Sequence, residues 1–408
     1  MKDIENSKKE APLKESPFLG LTGMGGGSAS LMWAGASVVN GLLWMAGNGQ
    51  RGQLDNNDSE AGAYSAKISS PTQVGTENTW SQIALGSIFT AATKTDGTLW
   101  SWGNSSNGAL GLNVANLYRS SPCQIGSPGE TAWSNIEGGR SMYFAQKTDG
   151  SLWSWGYNSP GGQLGLNDET QRSSPTQIPG TSWTRPRNGG GHVGASACLR
   201  TDGTLWTWGN NDQGILGHNN TTKYSSPRQL SGAWASVDVC GSEANIKAMI
   251  AVKTNGELWT WGYSEDGALG LNEGDVTYST PQQVGTDTTW ATGDHQIAMG
   301  AGCSFAMKND GTLWSWGNST YDKLGHSGGK CSSPIQVGTD SNWSQIHCTE
   351  NSVAALKTNG QLWVWGRNQQ GELGLGNAAS PPGPRQWGTS QKYFSDVAIQ
   401  QMHMGAIT

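Results

Sequence analysis

The sequence predicts an all-β fold, a seven-bladed β-propeller whose ring is closed by strands from both termini. Three observations support this prediction: a Trp-rich motif recurs along the chain, each period holds four short strand patterns, and the two chain ends complete one pattern. Self-similarity with a period of about 50 residues is typical of propellers and solenoids. We therefore divide the chain into an N-terminal arm, residues 1–28, and a propeller, residues 29–408.

The recurring motif is Thr-Asp-Gly-Thr-Leu-Trp-Ser-Trp-Gly at residues 95–103. Its tryptophans are two residues apart, so both indoles project from one face of an extended strand. The Asp-Gly step is typical of a tight turn, because Gly accepts positive φ and Asp accepts local hydrogen bonds. Close copies end at Gly103, Gly156, Gly209, Gly262, Gly317 and Gly366, and a degenerate copy ends at Gly47.

The rest of each period also repeats. An Asn-containing turn, x-Leu-Gly and a variable loop lead to a Ser-Ser-Pro strand, a lone Trp, an Ile/Val strand, a Gly-rich turn and a small-residue strand. Four short strands per period correspond to one propeller blade. Of the 21 tryptophans, all but Trp33 and Trp387 occupy repeat positions. This regularity predicts a core of indoles packed between blades.

The two ends of the chain complement each other. Residues 394–398 reproduce residues 80–84, and the sequence stops where the next Asp-Gly turn would begin. The degenerate copy around Trp44 supplies the missing strands. We therefore predict a closing blade built from both termini, which removes open sheet edges.

The arm differs from the repeats in composition. Residues 1–15 balance lysines against acidic residues and contain little to bury, which predicts a solvated, flexible segment. An apolar, Gly-rich peptide follows. Its side chains could dock the arm to a larger assembly or pack on the propeller's own surface, and the sequence leaves both open. The candidate anchor residues are Phe18, Leu19, Leu21 and Met24.

Composition excludes several classes of protein. The formal net charge is -6 and no Lys/Arg run is present, which disfavours a nucleic-acid partner. No apolar run reaches the roughly 18 residues of a membrane span, and no Sec signal peptide is visible. We expect a cytoplasmic protein or one assembled in a virion. The six cysteines lack Cys-x-x-Cys spacing and are interpreted as small buried hydrophobes.

The sequence predicts no catalytic residues, no metal site and no cofactor. His218 and His326 occupy a repeat position that holds Leu in other blades, and the remaining histidines lack zinc-ligand spacing. The repeat does not place converging carboxylates in a central channel, so we expect a non-enzymatic protein. The cation before each Asp/Asn-Gly turn is interpreted as a solvated charge at a strand edge, with a positive ring for an acidic partner as the alternative.

The motif Asp-Gly-x-Leu-Trp-x-Trp-Gly, followed by Asn-x-x-Gly-x-Leu-Gly and a Pro, resembles the repeat of the RCC1 (regulator of chromosome condensation) family. The resemblance covers roughly residues 29–408, implies a seven-bladed β-propeller and looks like a bacterial or phage version of the repeat. That superfamily includes a nucleotide exchange factor for the small GTPase Ran, parts of ubiquitin ligases, a plant UV photoreceptor and a bacterial β-lactamase inhibitor. It therefore specifies fold better than function.

Variation within a repeat indicates where function lies, because the scaffold fixes the loop ends while the loop tips differ. Two sets of segments vary most: the loops between Leu-Gly and Pro, and the Gly-rich turns. Their aromatic and charged side chains are either interface anchors or ordinary exposed loop residues. The candidate partner-binding residues are Tyr64, Tyr118, Arg119, Arg140, Tyr143, Arg187, Tyr224, Glu243, Lys247 and Tyr278.

These observations predict a non-enzymatic interaction propeller that presents variable loops to a protein partner or a glycan. The arm would dock it to a larger assembly, such as a phage particle. One alternative is a guanine-nucleotide exchange factor or other regulator of a small GTPase, and another is a proteinaceous enzyme inhibitor. Regular blade lengths and a charge-balanced arm disfavour exchange, and the lack of a visible export signal disfavours inhibition of a secreted enzyme.

Overall fold

Seven antiparallel four-stranded sheets make up the fold and confirm the predicted all-β, seven-bladed propeller. The computed structural model describes residues 41–54, 67–105, 107–189, 194–241, 247–388, 393–400 and 403–408, within the unit Asn40–Thr408. Across these ranges the helical content is one 3-10 turn, Thr320–Asp322. The predicted anchor residues Phe18, Leu19, Leu21 and Met24 lie outside the described residues.

The strands are numbered along the chain, and blades 1 to 6 each take four consecutive strands, starting with the one nearest the centre. The first two strands, which belong to the closing blade, are β1 (Leu43–Asn48) and β2 (Lys67–Gln73). Blade 1 contains β3 (Trp80–Leu85), β4 (Phe89–Lys94), β5 (Leu99–Ser105) and β6 (Leu117–Gln124). Blade 2 contains β7 (Trp133–Gly138), β8 (Met142–Lys147), β9 (Leu152–Gly156) and β10 (Arg172–Ile178). Blade 3 contains β11 (Trp183–Asn188), β12 (Ala195–Arg200), β13 (Leu205–Gly209) and β14 (Tyr224–Leu230).

The second half of the ring follows the same plan. Blade 4 contains β15 (Trp234–Gly241), β16 (Lys247–Lys253), β17 (Leu258–Ser264) and β18 (Val276–Gln283). Blade 5 contains β19 (Ile297–Gly300), β20 (Cys303–Met307), β21 (Leu313–Gly317) and β22 (Cys331–Gln336). Blade 6 contains β23 (Trp343–Cys348), β24 (Ser352–Lys357), β25 (Leu362–Gly366) and β26 (Arg385–Gln386). The last two strands are β27 (Asp396–Ile399) and β28 (His403–Ile407).

Blade 7 is the predicted closing blade. Its strand order is β2-β1-β28-β27, so two strands come from each end of the propeller sequence. In the central pair, Leu43 lies opposite Ile407 and Trp44 opposite Ala406. This pairing joins strands from opposite ends of the chain within one sheet, as the sequence predicted.

The Asp-Gly turns of blades 1, 2, 3 and 5 are fixed by local hydrogen bonds. In blade 1, Asp96 Oδ1 accepts hydrogen bonds from Thr98 N at 2.9 Å and Thr98 Oγ1 at 2.7 Å. Thr98 Oγ1 in turn accepts from the Trp100 indole at 2.8 Å. Gly97 has φ +79°, which an L side chain rarely adopts. Blades 3 and 5 repeat the network with Asp202, Thr204 and Trp206 and with Asp310, Thr312 and Trp314.

The second Trp of the motif joins neighbouring blades. This Trp is fully buried in blades 1 to 6. Its Nε1 donates a hydrogen bond to the backbone carbonyl of the residue that precedes Leu-Gly, or the equivalent Leu54, in the preceding blade. Each such bond satisfies a buried indole N–H and sets the spacing between two sheets. The donor–acceptor pairs are Trp102–Gln53, Trp155–Ala109, Trp208–Gln163, Trp261–Ile215, Trp316–Ala268 and Trp365–Lys323.

The junction between blades 6 and 7 uses a different Trp. Ala46 stands where the second Trp of the motif would be, and the buried indole of Trp387 fills the space instead. Both side chains pack against Gly374, the glycine that contacts the motif Trp at other junctions. Trp387 itself stands where other blades carry Val, Ile or Leu after the Pro strand. The structure thus assigns a packing role to one of the two tryptophans outside the repeat pattern.

The cation before each turn is packed between two indoles. Lys94 Nζ lies 4.8 Å from the Trp80 ring centre and 4.1 Å from that of Trp100, and it pairs with Glu77 at 2.6 Å. The expectation of a solvated charge is wrong, because cation–π contacts with the lone Trp and the first motif Trp hold these side chains in the fold. The equivalent cations are Lys147, Arg200, Lys253, Lys308 and Lys357.

Candidate functional site: the loop face and the central channel

Both variable loop sets lie on one face of the propeller. Because the strands of a blade alternate in direction, the turns between first and second strands and the loops between third and fourth strands emerge on the same side. We call this side the loop face. The opposite side, the turn face, carries the Asp-Gly turns and the links between blades. Segments that the sequence presents as two separate sets are thereby combined into one surface.

Three predicted tyrosines stand on the outer part of the loop face, each at or near the start of a fourth strand. Tyr118 belongs to β6, and Tyr224 begins β14. The Tyr224 ring contacts the guanidinium of Arg228 at 4.6 Å. In β18, the Tyr278 hydroxyl donates to Glu273 Oε2 at 2.8 Å. These rings are half-buried, which leaves part of each surface for contact.

The predicted basic residues of this face differ in their surroundings. Arg119 is exposed, and its guanidinium donates to the neighbouring Tyr118 carbonyl at 2.9 Å. Arg140 occupies the turn between β7 and β8 at the channel mouth. The Lys247 ammonium donates to Asp212 Oδ2 at 3.2 Å. Tyr64 and Glu243 lie outside the described residues.

Two predicted loop residues are instead buried. Tyr143 is the second residue of β8 and is 0% exposed. Its hydroxyl donates to the Ala84 carbonyl at 3.2 Å, and its ring meets Phe89 edge to face at 5.2 Å. Tyr143 is therefore a core residue, because the strand begins sooner after the Gly-rich turn than the sequence suggested. Arg187 lies in the inner strand β11 and is 5% exposed.

The inner strands of the seven blades surround a central channel. Residues from all seven line a cavity of about 170 Å³, which extends to the turns of the loop face. Many of the charged side chains of the channel come from one repeat position. This position is the fourth residue after the lone Trp, or after Phe394 in blade 7. From blade 1 to blade 7 this position holds Ala84, Glu137, Arg187, Asp238, Asp294, His347 and Ala398.

Arg187 is the centre of a charged cluster in this channel. Its guanidinium lies 3.6 Å from a Glu137 carboxylate oxygen, 3.8 Å from one of Asp238, and within hydrogen-bonding distance of Asp294. The expectation that the repeat places no converging carboxylates in the channel is wrong. Four blades supply one charged residue each, and Arg187 pairs with the three acids. The sequence signal was the variation of a single repeat position.

Arg185 extends the same connection. Its guanidinium donates to the carbonyls of Ala235 and Thr292, the latter at 3.0 Å, and so links blade 3 to the next two blades. Its backbone has φ +51°, unusual for an L residue. The Arg-Pro-Arg break in the repeat thus places two guanidinium groups beside Asp294.

Comparison with known proteins supports the assignment based on the repeats. The model of the regulator of chromosome condensation (RCC1) repeat matches residues 96–145, 149–195, 202–243, 255–307, 310–356 and 359–407. The chain belongs to the RCC1-repeat family. The E3 ubiquitin-protein ligase HERC2 of Mus musculus is 30% identical over 281 residues, which cover 67% of the chain but 6% of that ligase. The chain thus spans a small part of this relative.

Two further comparisons cover most of this RCC1-repeat chain. The ultraviolet-B receptor UVR8 of Arabidopsis thaliana is 28% identical over 370 residues, which cover 88% of the chain and 80% of the receptor. The crystal structure of Prp20p from Saccharomyces cerevisiae superposes with a TM-score of 0.76 and 18% identity, covering 91% of this chain and 92% of Prp20p. The likeness to Prp20p shows a shared propeller fold.

The electrostatics of this RCC1-repeat channel separate its carboxyl groups. Burial raises the pKa of Glu137 to about 8 and that of Asp238 to about 6, although Arg187 attracts both. Burial also opposes ionisation of Asp294, yet Arg187, His295 and Arg185 hold the pKa of that carboxyl far below its usual range. Asp294 is therefore the main counter-ion of Arg187 at neutral pH.

The two histidines of the channel are neutral at physiological pH. Burial, reinforced by Arg187, lowers the pKa of His295 to about 4. Burial also lowers the pKa of His347 well below its usual value, and the two rings stack at 4.5 Å. Within the described ranges, no three His, Cys, Asp or Glu side chains are arranged to hold a metal ion. The same ranges contain no helix long and apolar enough to cross a membrane.

Proposed function

We propose that this chain is a non-enzymatic protein-interaction propeller that binds its partner through the loop face. The observation that carries the proposal is topological: among the described residues, the variable loops and Gly-rich turns emerge on that one face. Members of the RCC1-repeat family bind protein partners, and Prp20p was described with its binding to Gsp1p and histones. A rigid disc with variable loops on one side suits this role.

The channel cluster supports a non-enzymatic role. Each acid around Arg187 has a positive partner within about 4 Å, so the group resembles a structural ion-pair network. A general acid or base must instead reach the proton of a substrate. We assign Arg187 and its acids to holding blades 2 to 5 together, next to the surface that meets the partner.

The experiment compares two faces of one protein. The full chain is immobilised, bound proteins are captured from native lysate, and their contacts are mapped by cross-linking mass spectrometry. The loop-face variant carries Arg119→Glu and Tyr278→Ala. The control is Tyr393→Ala, whose side chain is 59% exposed on the turn face. We expect the loop-face variant to lose the partner and the control to retain it, and the reverse result would overturn the proposal.

The role of the arm is a separate proposal. We propose that residues 1–28 dock the propeller to a larger assembly, as the apolar peptide after the charged leader predicts. A chain beginning at residue 29 tests this, with unchanged far-UV circular dichroism as the folding control. Loss of a partner that the loop-face variant retains supports docking by the arm. Retention of every partner contradicts it.

A second candidate function is regulation of a small GTPase. The family assignment favours it, because the RCC1 superfamily includes a nucleotide exchange factor for the small GTPase Ran. The assay is release of fluorescent GDP from purified small GTPases in the presence of the full chain. Acceleration that Arg119→Glu with Tyr278→Ala abolishes supports it. If the chain does not accelerate GDP release, nucleotide exchange is ruled out for the GTPases tested and the interaction role stands.

A further inference from the structure

Two cysteine thiols face each other across the junction of blades 5 and 6. Cys303 is the first residue of β20, and Cys348 is the last residue of β23. Their sulfur atoms lie 3.7 Å apart. A disulfide bond is about 2.0 Å long, so small side-chain movements would bring the sulfurs together. Cys303 is fully buried, whereas Cys348 is half-buried and lines the channel cavity.

The surrounding backbone makes room for this pair. A Cβ atom at Gly300 would lie 2.5 Å from the Cys348 sulfur and 3.1 Å from the Cys303 sulfur. Both distances are shorter than van der Waals contact, so the absence of a side chain at Gly300 allows the thiols to approach. The close contact of the two sulfurs thus depends on a glycine that belongs to the same blade junction.

The pair is also specific to this junction. The position of Cys303 is the residue of a blade's second strand that pairs with the glycine of the Trp-x-Trp-Gly motif. The position of Cys348 is the residue of a blade's first strand that pairs with the next residue along that second strand. In the other six blades neither position holds a cysteine. The first position holds Phe89, Met142, Ala195, Ala248, Ser352 and His403, and the second holds Leu85, Gly138, Asn188, Val239, Met299 and Ile399.

A buried cation lies beside the thiols. The Lys323 ammonium is held by the Ala301 carbonyl at 2.7 Å and the Glu350 carbonyl at 3.0 Å, in the two turns that adjoin the cysteines. The hydrogen bond from the Cys348 thiol and, against burial, the Lys323 charge lower the pKa of Cys303 to about 7. A thiolate is the reactive form of cysteine, and the Cys303 sulfur is in contact with Cys348, which lines the channel cavity.

We propose that Cys303 and Cys348 form a peroxide-reactive pair that closes into a disulfide between blades 5 and 6. One sulfur of the pair attacks, as a thiolate, one oxygen of hydrogen peroxide; the O–O bond breaks, and the departing hydroxide takes a proton to become water. The resulting sulfenic acid is attacked by the other sulfur of the pair, which forms the S–S bond and releases a second water. Peroxide accepts the two electrons that the thiols lose.

This reaction would fix two adjacent blades beside the channel mouth. The bond would connect the inner strand of blade 6 to the second strand of blade 5, next to the loop-face turns that contain Ala301 and Glu350. Peroxide is small enough to enter the channel cavity of about 170 Å³. The proposal is independent of partner binding, because it concerns the protein alone.

The test uses the full chain with hydrogen peroxide as the only oxidant. Thiols are counted in denaturant before and after treatment, and cross-linked peptides are mapped without reductant. We expect two of the six thiols to be lost and a single Cys303–Cys348 link that dithiothreitol reverses. Cys348→Val and Cys303→Ser are expected to remove the link, and blades 4 and 6 already carry Val239 and Ser352 at these positions.

Cys240→Ala is the matched control, because Cys240 is another buried thiol on the channel wall. This variant is expected to form the link as the native chain does. Far-UV circular dichroism confirms that each variant is folded. A link that survives in Cys348→Val, a link mapped to Cys240, or oxidation to sulfinic acid without a link would each overturn the proposal.

Discussion

The junction between blades 6 and 7 gives a quantitative prediction, because its Trp comes from position 387 and not from position 46, where the motif would place it. At this junction Trp387 fills the place of the second motif Trp, and Ala46 leaves space for it. Trp387→Val restores the residue type of the other blades but empties the space. Ala46→Trp restores the motif but collides with Trp387. The double variant recreates the arrangement of the other six junctions.

The expected magnitudes follow from burial. Trp387 is 1% exposed, and core Trp→Ala substitutions cost about 3–5 kcal/mol. Since Val keeps part of the contact, we expect Trp387→Val to lower the free energy of unfolding by about 3 kcal/mol. Overpacking by Ala46→Trp is expected to cost about 1–3 kcal/mol. The double variant should lie within about 1 kcal/mol of the native chain, which makes the coupling energy several kcal/mol and opposite in sign to the single effects.

The assay is guanidinium unfolding of the four proteins, followed by far-UV circular dichroism because a Trp change would distort a fluorescence signal. The same double change also offers a new indole donor to the Glu372 carbonyl, the acceptor position used at other junctions. Additive losses, with the double variant least stable of all, would refute the view that Trp387 and Ala46 are a compensating pair.

Three further predictions concern charges. Arg187→Gln leaves the carboxylates of Asp294 and Asp238 without their cation, while Glu137 is mainly protonated near pH 7. We therefore expect the free energy of unfolding to fall by about 3–5 kcal/mol near pH 7. In guanidinium titrations this loss of unfolding free energy should shrink as the pH is lowered and the carboxylates protonate. An equal loss at neutral and at acidic pH would contradict charge pairing. Burial raises the pKa of Asp396 to about 7, above its unfolded value of about 4, so its contribution to stability decreases as pH rises between these values. Asp396→Asn, which places at this position the residue type of Asn135 in blade 2, should weaken the dependence of thermal stability on pH. A stronger dependence on pH would disprove the role assigned to Asp396. Lys357→Met removes an ammonium held between two indoles, and denaturant unfolding should show a loss of about 1–2 kcal/mol. No loss would show that the cation is merely tolerated there.

The fold could be predicted because the repeat is regular. Seven copies of one motif fix the number of blades, and the turn residues, prolines and paired tryptophans each agree with one strand order. The closing blade followed from the fact that the two ends of the sequence complete one pattern. Such information is local, since each copy contains the residues that decide its own turns and strands.

The channel could not be predicted in the same way, because it forms only when inner strands from all blades come together. The charge of Arg187 is explained by acids roughly 50 residues or more away in sequence, on three other blades. Tyr143 was misplaced for a related reason: a boundary shift of one or two residues decides whether a side chain lies in a turn or in the core. Trp387 occupies a repeat position that holds Val, Ile or Leu in other blades, and its role depends on Ala46 far away in sequence.

The pairing of β1 with β28 has a consequence for the order of folding during synthesis. Leu43 and Ile407 are opposite each other in one sheet, so the strand made first in the propeller waits for the strand made last. Blades 1 to 6 can each form as their own residues leave the ribosome, because all four of their strands are consecutive. Until β28 emerges, β1 pairs with β2 on one side, and its other edge is unpaired. Chaperone binding during translation is therefore expected to concentrate on this N-terminal hairpin and to end when the ring closes.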